Sequence, residues 1–327
     1  MSRRPNQKLK LLYLMKIFNE CTDERHAMTV AELSDALAAY EISAERKSLY
    51  DDMELLRVFG MDIRTVRDRS VRYYLGDRDF ETAELKLLVD AVRSSKFITQ
   101  KQSDALVRKL EKLLSKYDMS ALRRQVVISG RHKTENEDVF GNVDMIHRAI
   151  SENRMIRFRY YAWNADKRRV FRREGAFYTI SPFALSWDNE NYYMVGYDSE
   201  AQMIKHFRVD RMLELSVSKE KREGEAAFER FDMASHSMQV FGMYGGDLCA
   251  VGFECDKSIA DAVIDRFGTE VMMSNKGETF TFTARIMVSP SFYSWVLGFG
   301  NKIKIVYPDA VAEHVAELAR EILKAYE

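Results

Sequence analysis

The apolar residues of this chain recur at helical spacing as far as Lys116 and in alternation from Met155 onward. A change of period from about 3.6 to 2 obliges the two parts to bury their faces in different ways. A single uniform bundle or sandwich is excluded, and a multidomain α+β architecture is expected. The 327 residues suit two or three domains at roughly 100–200 residues each. With 46% hydrophobic residues and four prolines, a disordered or collagen-like chain is also excluded. No apolar run is long enough to cross a bilayer, and the basic start from Met1 to Lys10 lacks the apolar core of a signal peptide, so a cytoplasmic location is expected. Cys21, Cys249 and Cys255 are too scattered for a disulfide framework; the last two share a strand-like run that sets them roughly 20 Å apart.

Lys8 to Cys21 reads as an amphipathic helix. Thr29 is placed to cap a second helix, and Glu32 three residues later completes a capping-box pattern ahead of Leu33 and Leu37. After the short connection Tyr40-Glu41-Ile42, Ser43 is expected to cap a third helix running to about Val58, with Gly60 as its stop. In that helix Leu49, Met53 and Leu56 form one inward face, leaving Arg46, Lys47, Tyr50, Asp51 and Glu54 outside. Two strand-like runs, Asp62 to Val66 and Val71 to Leu75, follow around the polar tip Arg67-Asp68-Arg69-Ser70. Three helices and a hairpin are the outline of a winged helix-turn-helix, which sets its third helix in a DNA major groove and its wing on the backbone. The same outline occurs in three-helix units that bind no DNA.

Thr82 to Lys116 has a helical pattern suited to linking domains and to burying part of its face in a second subunit. Arg131 to Asp138 is polar and is the expected hinge. A helix over Asn142 to Glu152 then leads into the alternating strand Met155 to Tyr161. Further strand-like runs occur at Val170 to Arg173, Phe177 to Ile180, Tyr192 to Tyr197, Met203 to Val209 and Met212 to Val217, a spacing that suits a small barrel. From Leu248 the order becomes βαββαβ, as in a ferredoxin-like α+β unit. A last helix after Pro308 carries Val311, Val315, Leu318, Ile322 and Leu323 as its stripe.

Fifty basic and fifty acidic residues give no net charge, but the sum hides a gradient. Residues 212–327 carry 12 basic and 18 acidic side chains, whereas residues 154–173 hold Arg154, Arg157, Arg159, Lys167, Arg168, Arg169, Arg172 and Arg173 against Asp166 alone. That concentration attracts phosphate, or is a solvated face. Against an enzyme, the six histidines offer no i, i+4 pair and no CxxC occurs, so no metal site is expected. Gly242-Met243-Tyr244-Gly245-Gly246 and Gly298-Phe299-Gly300 lack the strand, helix and lysine of a phosphate loop. No G-x-S-x-G elbow is present, so no catalytic residues and no cofactor are assigned, although a dispersed triad leaves no mark in sequence.

The run from Glu41 to Leu56, followed by Phe59-Gly60-Met61-Asp62-Ile63, resembles the recognition helix and wing turn of WYL-domain transcriptional regulators. Ser181-Pro182-Phe183-Ala184-Leu185, Tyr192-Tyr193-Met194-Val195-Gly196-Tyr197-Asp198 and His206-Phe207-Arg208-Val209-Asp210-Arg211-Met212 follow the order of the WYL domain itself. Tyr192-Tyr193-Met194 stands where the name-giving Trp-Tyr-Leu triplet falls, keeping its central tyrosine. Val263 to Gly268 and Trp295 to Gly300 are similar to the extension that commonly follows that domain.

The resemblance implies four parts: a winged helix-turn-helix over residues 1–78, a helical linker over 79–138, an Sm/SH3-like WYL barrel over 139–220 and a ferredoxin-like extension over 240–327. It implies a regulator that binds double-stranded DNA as a homodimer and senses a nucleotide or single-stranded nucleic acid. Carried over by position, Tyr160, Ser181, Tyr193, His206, Arg208 and Arg211 line the effector groove. Arginine forks suit phosphate and aromatic rings suit bases. Each residue also has a structural reading, with Arg208 and Arg211 as ion-pair partners of Asp210. On the DNA side the expected contacts are Ser43, Arg46, Lys47, Ser48 and Tyr50 from the third helix, with Arg67, Arg69 and Arg72 on or beside the wing. An accessory RNA- or single-strand-binding protein using the WYL groove is the alternative.

Overall fold

The computed structural model describes residues 9–119, 132–188, 190–229 and 247–327. Lys8, Arg131, His236 and the Gly242–Gly246 segment, each used in the sequence reading, lie outside the described residues. The fold is α+β, and the chain divides into two compact units, Met1–Glu137 and Asp138–Glu327. Among the described residues no helix is long and apolar enough to cross a membrane.

The first unit opens with helices α1 (Lys10–Cys21), α2 (Val30–Ala38) and α3 (Arg46–Phe59), and strands β1 (Met28–Thr29), β2 (Ile63–Arg67) and β3 (Val71–Leu75). Leu14, Phe18, Leu33, Leu37, Leu49 and Met53 meet in one core where almost no surface remains exposed. Thr29 and Glu32 make both halves of the capping box, which satisfies two of the amide donors left open at the start of α2. Gly60 ends α3 with φ +112, a left-handed turn that favours glycine. Ser43 does not cap α3. That helix begins after the extended residue Glu45 and has no side-chain cap, because the buried Ile42 holds the connection in the core two residues longer than expected. The sheet has order β1-β3-β2. Its two-residue strand β1, pairing Met28 with Tyr73 and Thr29 with Arg72, is too short to show a period in sequence.

The expected linker helix is a pair, α4 (Thr82–Ser94) and α5 (Gln100–Glu111), packed through Leu85, Val89, Val107 and Leu114. Thr99 and Gln102 form a second capping box that starts α5. The described part of the expected hinge returns onto this pair. Lys133 Nζ donates to the carbonyl of Ser95 at 2.7 Å, Thr134 N–H donates to Lys96 O at 2.9 Å, and Gln102 Nε2 donates to Glu137 O at 2.8 Å. The chain is thus held through residue 137, where the first unit ends.

The second unit begins with α6 (Val139–Ser151) and strands β4 (Arg154–Trp163), β5 (Arg169–Phe171), β6 (Tyr178–Asp188), β7 (Asn191–Asp198), β8 (Met203–Arg208) and β9 (Met212–Lys221). The path is β5-β4-β6-β7-β8 with β9 also paired to β4, and all these pairings are antiparallel. Strands β8 and β9 therefore lie at opposite ends of the run β9-β4-β6-β7-β8, yet only the turn Val209–Arg211 joins them. Laid flat, those edges stand about 19 Å apart, whereas the turn spans at most about 15 Å. The sheet must curl, and Phe207 of β8 meets Phe158 of β4 at 5.2 Å between ring centroids. Tyr160 and Tyr178 complete that aromatic interior. On α6, the buried Asn142 donates to Met212 O at 3.1 Å and so fixes the strand just after the turn.

After a short helix α7 (Glu225–Glu229) come β10 (Asp247–Asp256), α8 (Ala260–Phe267), β11 (Met273–Lys276), β12 (Thr279–Val288), α9 (Pro290–Leu297), β13 (Ile303–Tyr307) and α10 (Asp309–Tyr326). The sheet runs β11-β12-β10-β13 over a core of Val251, Phe253, Phe280, Phe282 and Phe292. The apolar stripe expected on α10 is only partly covered: Val311 is buried, but Ile322 is 48% and Leu323 61% exposed. An 18-residue helix is about 27 Å long while the five-residue β13 beside it spans about 17 Å, so α10 is longer than the strand it packs beside.

Candidate functional site

Two sets of side chains stand out, one in each unit. In the first, α3 presents Arg46, Lys47 and Tyr50 outward. Arg46 Nε donates to Tyr50 Oη at 3.3 Å, and the Tyr50 ring meets Tyr73 of β3 edge-on at 6.3 Å. A hollow of about 580 Å³ opens beside them, walled by Thr29 and Ser34 of the α2 region and by Ser70 and Val71 of the hairpin. Arg67 and Arg69 are exposed at the hairpin tip, and no ion-pair partner for either, or for Lys47, is present among the described residues.

Two members of the expected set are committed elsewhere. Ser48 is half-buried and accepts a hydrogen bond from Lys10 Nζ, which ties it to α1. Arg72 is half-buried and pairs with Asp68 at 3.2 Å, so much of its charge is answered. Ser43 is exposed before α3.

In the second unit, the expected groove residues separate into two groups. Tyr193 of β7 faces Arg208 of β8 in register, and His206 lies half-buried opposite Val195 on the same strand pair. Arg208 forks onto Asp210 through Nε at 3.0 Å and Nη2 at 2.8 Å. Burial works to lower the Arg208 pKa, but the bonds and charge of Asp210 more than offset it and the net shift is upward. Three of the five guanidinium donors remain for another oxygen. Arg211 is half-buried on the turn, and its guanidinium has no ion-pair or hydrogen-bond partner among the described residues. Burial pushes the Tyr193 hydroxyl up, and the nearby Arg208 charge pulls it down only in part.

Tyr160 belongs partly to the core. Its ring is 6% exposed among Phe158, Tyr178 and Phe207, and its hydroxyl accepts from the Arg208 backbone N–H at 3.1 Å. Burial raises its pKa. Ser181 is fully buried and accepts from the Glu223 N–H at 2.9 Å. It anchors the chain after β9 rather than lining an open groove, because β6 runs on through Ser181 and Pro182 as a paired strand.

Sequence reasoning missed Arg172, whose guanidinium lies 5.6 Å from the Tyr160 ring centroid; its signal was membership of the basic run. With Arg208 balanced by Asp210, Arg172 and Arg211 leave this corner cationic. The chemistry available is binding of an anion flanked by flat rings. Among the described residues no group of three His, Cys, Asp or Glu side chains is placed to hold a metal ion.

Comparison with known proteins finds two known domains in the second unit. The family model of the WYL domain matches residues 141–217, and that of the WCX domain matches residues 248–323. Among solved structures, the Proteasome accessory factor B/C (PafBC) of Arthrobacter aurescens is 16% identical, with 97% of this chain and 49% of that chain covered and a TM-score of 0.28. This chain thus spans about half the length of that one. A CRISPR Cas-related protein is 15% identical over 76% of this chain and 75% of that one, with a TM-score of 0.38. No curated protein matches the sequence. The chain is a WYL-domain protein, with its WYL domain followed by a WCX domain.

Proposed function

We propose that the protein is a ligand-responsive transcriptional regulator that binds double-stranded DNA through α3 and the β2–β3 hairpin and senses a nucleotide or single-stranded nucleic acid through its WYL domain. The observation that carries this reading is the outward face of α3, where Arg46, Lys47 and Tyr50 border the hollow between the start of α2 and the hairpin. A winged helix-turn-helix uses such a face for base edges and such a hairpin for phosphates. Arg67 and Arg69 at the tip supply the phosphate contacts. With 14 basic and 13 acidic residues over positions 1–78, the domain has little general attraction for polyanions and binds selectively, since phosphate neutralisation drives most non-specific affinity.

The sensor rests on Tyr193, His206, Arg208 and Arg211, with Arg172 added. The protein acts in the cytoplasm as a homodimer, and Leu87 and Leu88, exposed on α4, give the linker an apolar surface for the second subunit. An effector shifts the balance between dimer arrangements only by its differential affinity, which typically supplies about 1–3 kcal/mol.

The test is binding of the purified chain to duplex fragments of its own promoter region over a salt series, for wild type, Arg46→Ala and Lys47→Ala. Each substitution is expected to weaken binding, and a lost phosphate contact to lower the salt slope by about 1. Unchanged binding in both removes α3 from the mechanism.

A further inference from the structure

We infer that Ser115 and Tyr117, on the segment after α5, form a clasp that fixes the angle between the α1–α3 and hairpin half of the first unit and its linker helices. The clasp restricts the protein to duplex sites of one half-site spacing. It has this role in the DNA-binding homodimer proposed above, and so rests on that reading.

The segment is anchored in the linker core on both sides. Leu114 is buried with Leu85, Val89 and Val107, and Met119 packs against the same cluster. Between them the chain turns polar and aromatic side chains to the end of α1. Ser115 is fully buried. Its hydroxyl accepts from the Asp118 N–H at 3.1 Å, capping the turn that follows, and donates to Asp23 Oδ2 at 2.8 Å. Tyr117 lies flat on His26, with ring centroids 3.6 Å apart and planes 6° from parallel. The other oxygen of Asp23 accepts from the Arg25 and His26 N–H groups at 3.0 and 2.9 Å and lies 2.7 Å from His26 Nδ1. Both receiving groups are therefore held in place by their own loop.

A second tie meets the same end of α1. Arg78, just beyond the hairpin, donates to Asn19 O at 2.8 Å and to Thr22 O at 2.7 Å, which satisfies carbonyls left open at the helix end. Beside these ties a cleft of about 760 Å³ opens, walled by Arg64, Gly76 and Asp77 at the base of the hairpin and by residues 80–83 at the start of α4. Two bodies joined at one point can swing across such a cleft, whereas a second tie fixes their angle. The clasp thus decides whether the linker pair swings against α3.

On DNA, a dimer engages two half-sites whose separation follows from the rigid path between its recognition helices. Here that path runs from α3 to α1 through the Lys10–Asp52 pair, then through the clasp to α4, which offers Leu87 and Leu88 to the second subunit. Inserting about 2 base pairs between half-sites turns one of them by about 70° and moves it about 7 Å along the axis. A fixed angle cannot follow that displacement, and a swinging one can.

The experiment uses the full chain and a duplex from its own promoter region, unaltered or with about 2 base pairs inserted at the centre of the footprint. Anisotropy titrations compare wild type, Ser115→Ala, Tyr117→Ala and Tyr117→Phe, each first checked by thermal melting. Wild type is expected to lose at least about tenfold in affinity on the insertion, comparable to one lost base contact. Ser115→Ala and Tyr117→Ala should bind the unaltered duplex within about threefold of wild type and lose only about twofold on the insertion. Tyr117→Phe keeps the ring and the wild-type profile. Ser115→Ala, which removes one hydroxyl, carries the comparison should Tyr117→Ala melt early. A wild type indifferent to the insertion, or Ser115→Ala with the wild-type profile, overturns the clasp and leaves the DNA reading standing. Failure of wild type to bind any promoter fragment overturns both.

Discussion

Lys10 of α1 and Asp52 of α3 form an ion pair at 2.6 Å in which neither side chain is more than 13% exposed. The same ammonium group holds Ser48, so one side chain fixes the crossing of α1 against the helix that carries Arg46 and Tyr50. Removing one member of a buried pair leaves an uncompensated charge, at a cost of several kcal/mol when burial is deep. Lys10→Ala is expected to destabilise the first unit by about 2 kcal/mol, since Asp52 keeps no other ion-pair partner among the described residues. Lys10→Met with Asp52→Leu should restore most of the loss, because two apolar groups need no pairing. Urea unfolding of wild type and these two variants checks both; equal stability of Lys10→Ala and wild type refutes the structural role.

Asp23 gives the same unit a pH dependence. It accepts from His26 Nδ1 at 2.7 Å and from Ser115 Oγ at 2.8 Å, while His26 stacks on Tyr117 at 3.6 Å. These contacts join the end of α1 to the segment after α5. Burial works to raise the Asp23 carboxyl, and the hydrogen bonds from His26 and Ser115 and the His26 charge more than offset it, so its pKa lies below the ordinary value. A depressed carboxyl stabilises the fold above its unfolded pKa, about 4, and that contribution disappears as pH falls through the folded value. Asp23→Asn should therefore lower stability by about 1 kcal/mol at pH 7, with the difference from wild type shrinking below pH 4. A difference that stays constant from pH 7 to pH 2.5 rules this out.

These contacts also mark where sequence reasoning stops. Thr29 with Glu32, and Gly60 after α3, were readable because capping is decided within four residues. Thr99 with Gln102 is the same kind of signal, and it separates α4 from α5 inside a stretch whose apolar spacing alone suggests one helix. Ser43 misled because a good capping residue does not choose its helix start when Ile42 is held in the core. In the candidate site, the resemblance pointed to Tyr193 and Arg208, which face each other across β7 and β8. It did not foretell that Ser181 is sealed against Glu223, since residues 42 positions apart meet only through the fold.

Gly60 is a position where backbone conformation, not space, decides. At φ +112 an added Cβ meets nothing within 4 Å, so the cost of Gly60→Ala is conformational, about 1 kcal/mol. Gly60→Asn should cost less, because asparagine tolerates left-handed backbone. Thermal melts of the two variants check the order, and an Ala variant as stable as the Asn variant contradicts it.

Arg208 and Arg211 should respond differently to truncation although they stand three residues apart. Arg208→Ala removes the two-pronged bond to the buried Asp210, 5% exposed as a residue, and is expected to lower stability by about 2 kcal/mol as well as ligand affinity. Arg211→Ala removes a cation without an ion-pair partner among the described residues, so it should weaken nucleotide binding about tenfold while leaving the melting temperature within a degree or two. Calorimetry with a nucleoside monophosphate, read beside the melts, separates the two. Equal destabilisation by both variants defeats the assignment of Arg208 as the structural member.

Cys255 closes the set as a chemical probe of the C-terminal core. Its thiol sits on the inward side of β10 at 1% exposure, and burial, helped by Glu254, pushes its pKa to about 12. The thiolate is the reactive form, so at pH 8 a thiol titrating there is ionised in about one molecule in ten thousand, against about one in four for an unperturbed cysteine. Iodoacetamide at pH 8 should therefore modify Cys255 on the order of a thousand times more slowly in the folded protein than in urea, before any further protection by burial. Mass spectrometry of timed samples reads the rate at each cysteine separately. Labelling of Cys255 in the native chain at the rate seen in urea would show that β10 opens freely, contradicting the packing of Phe253, Phe280 and Phe292 around it.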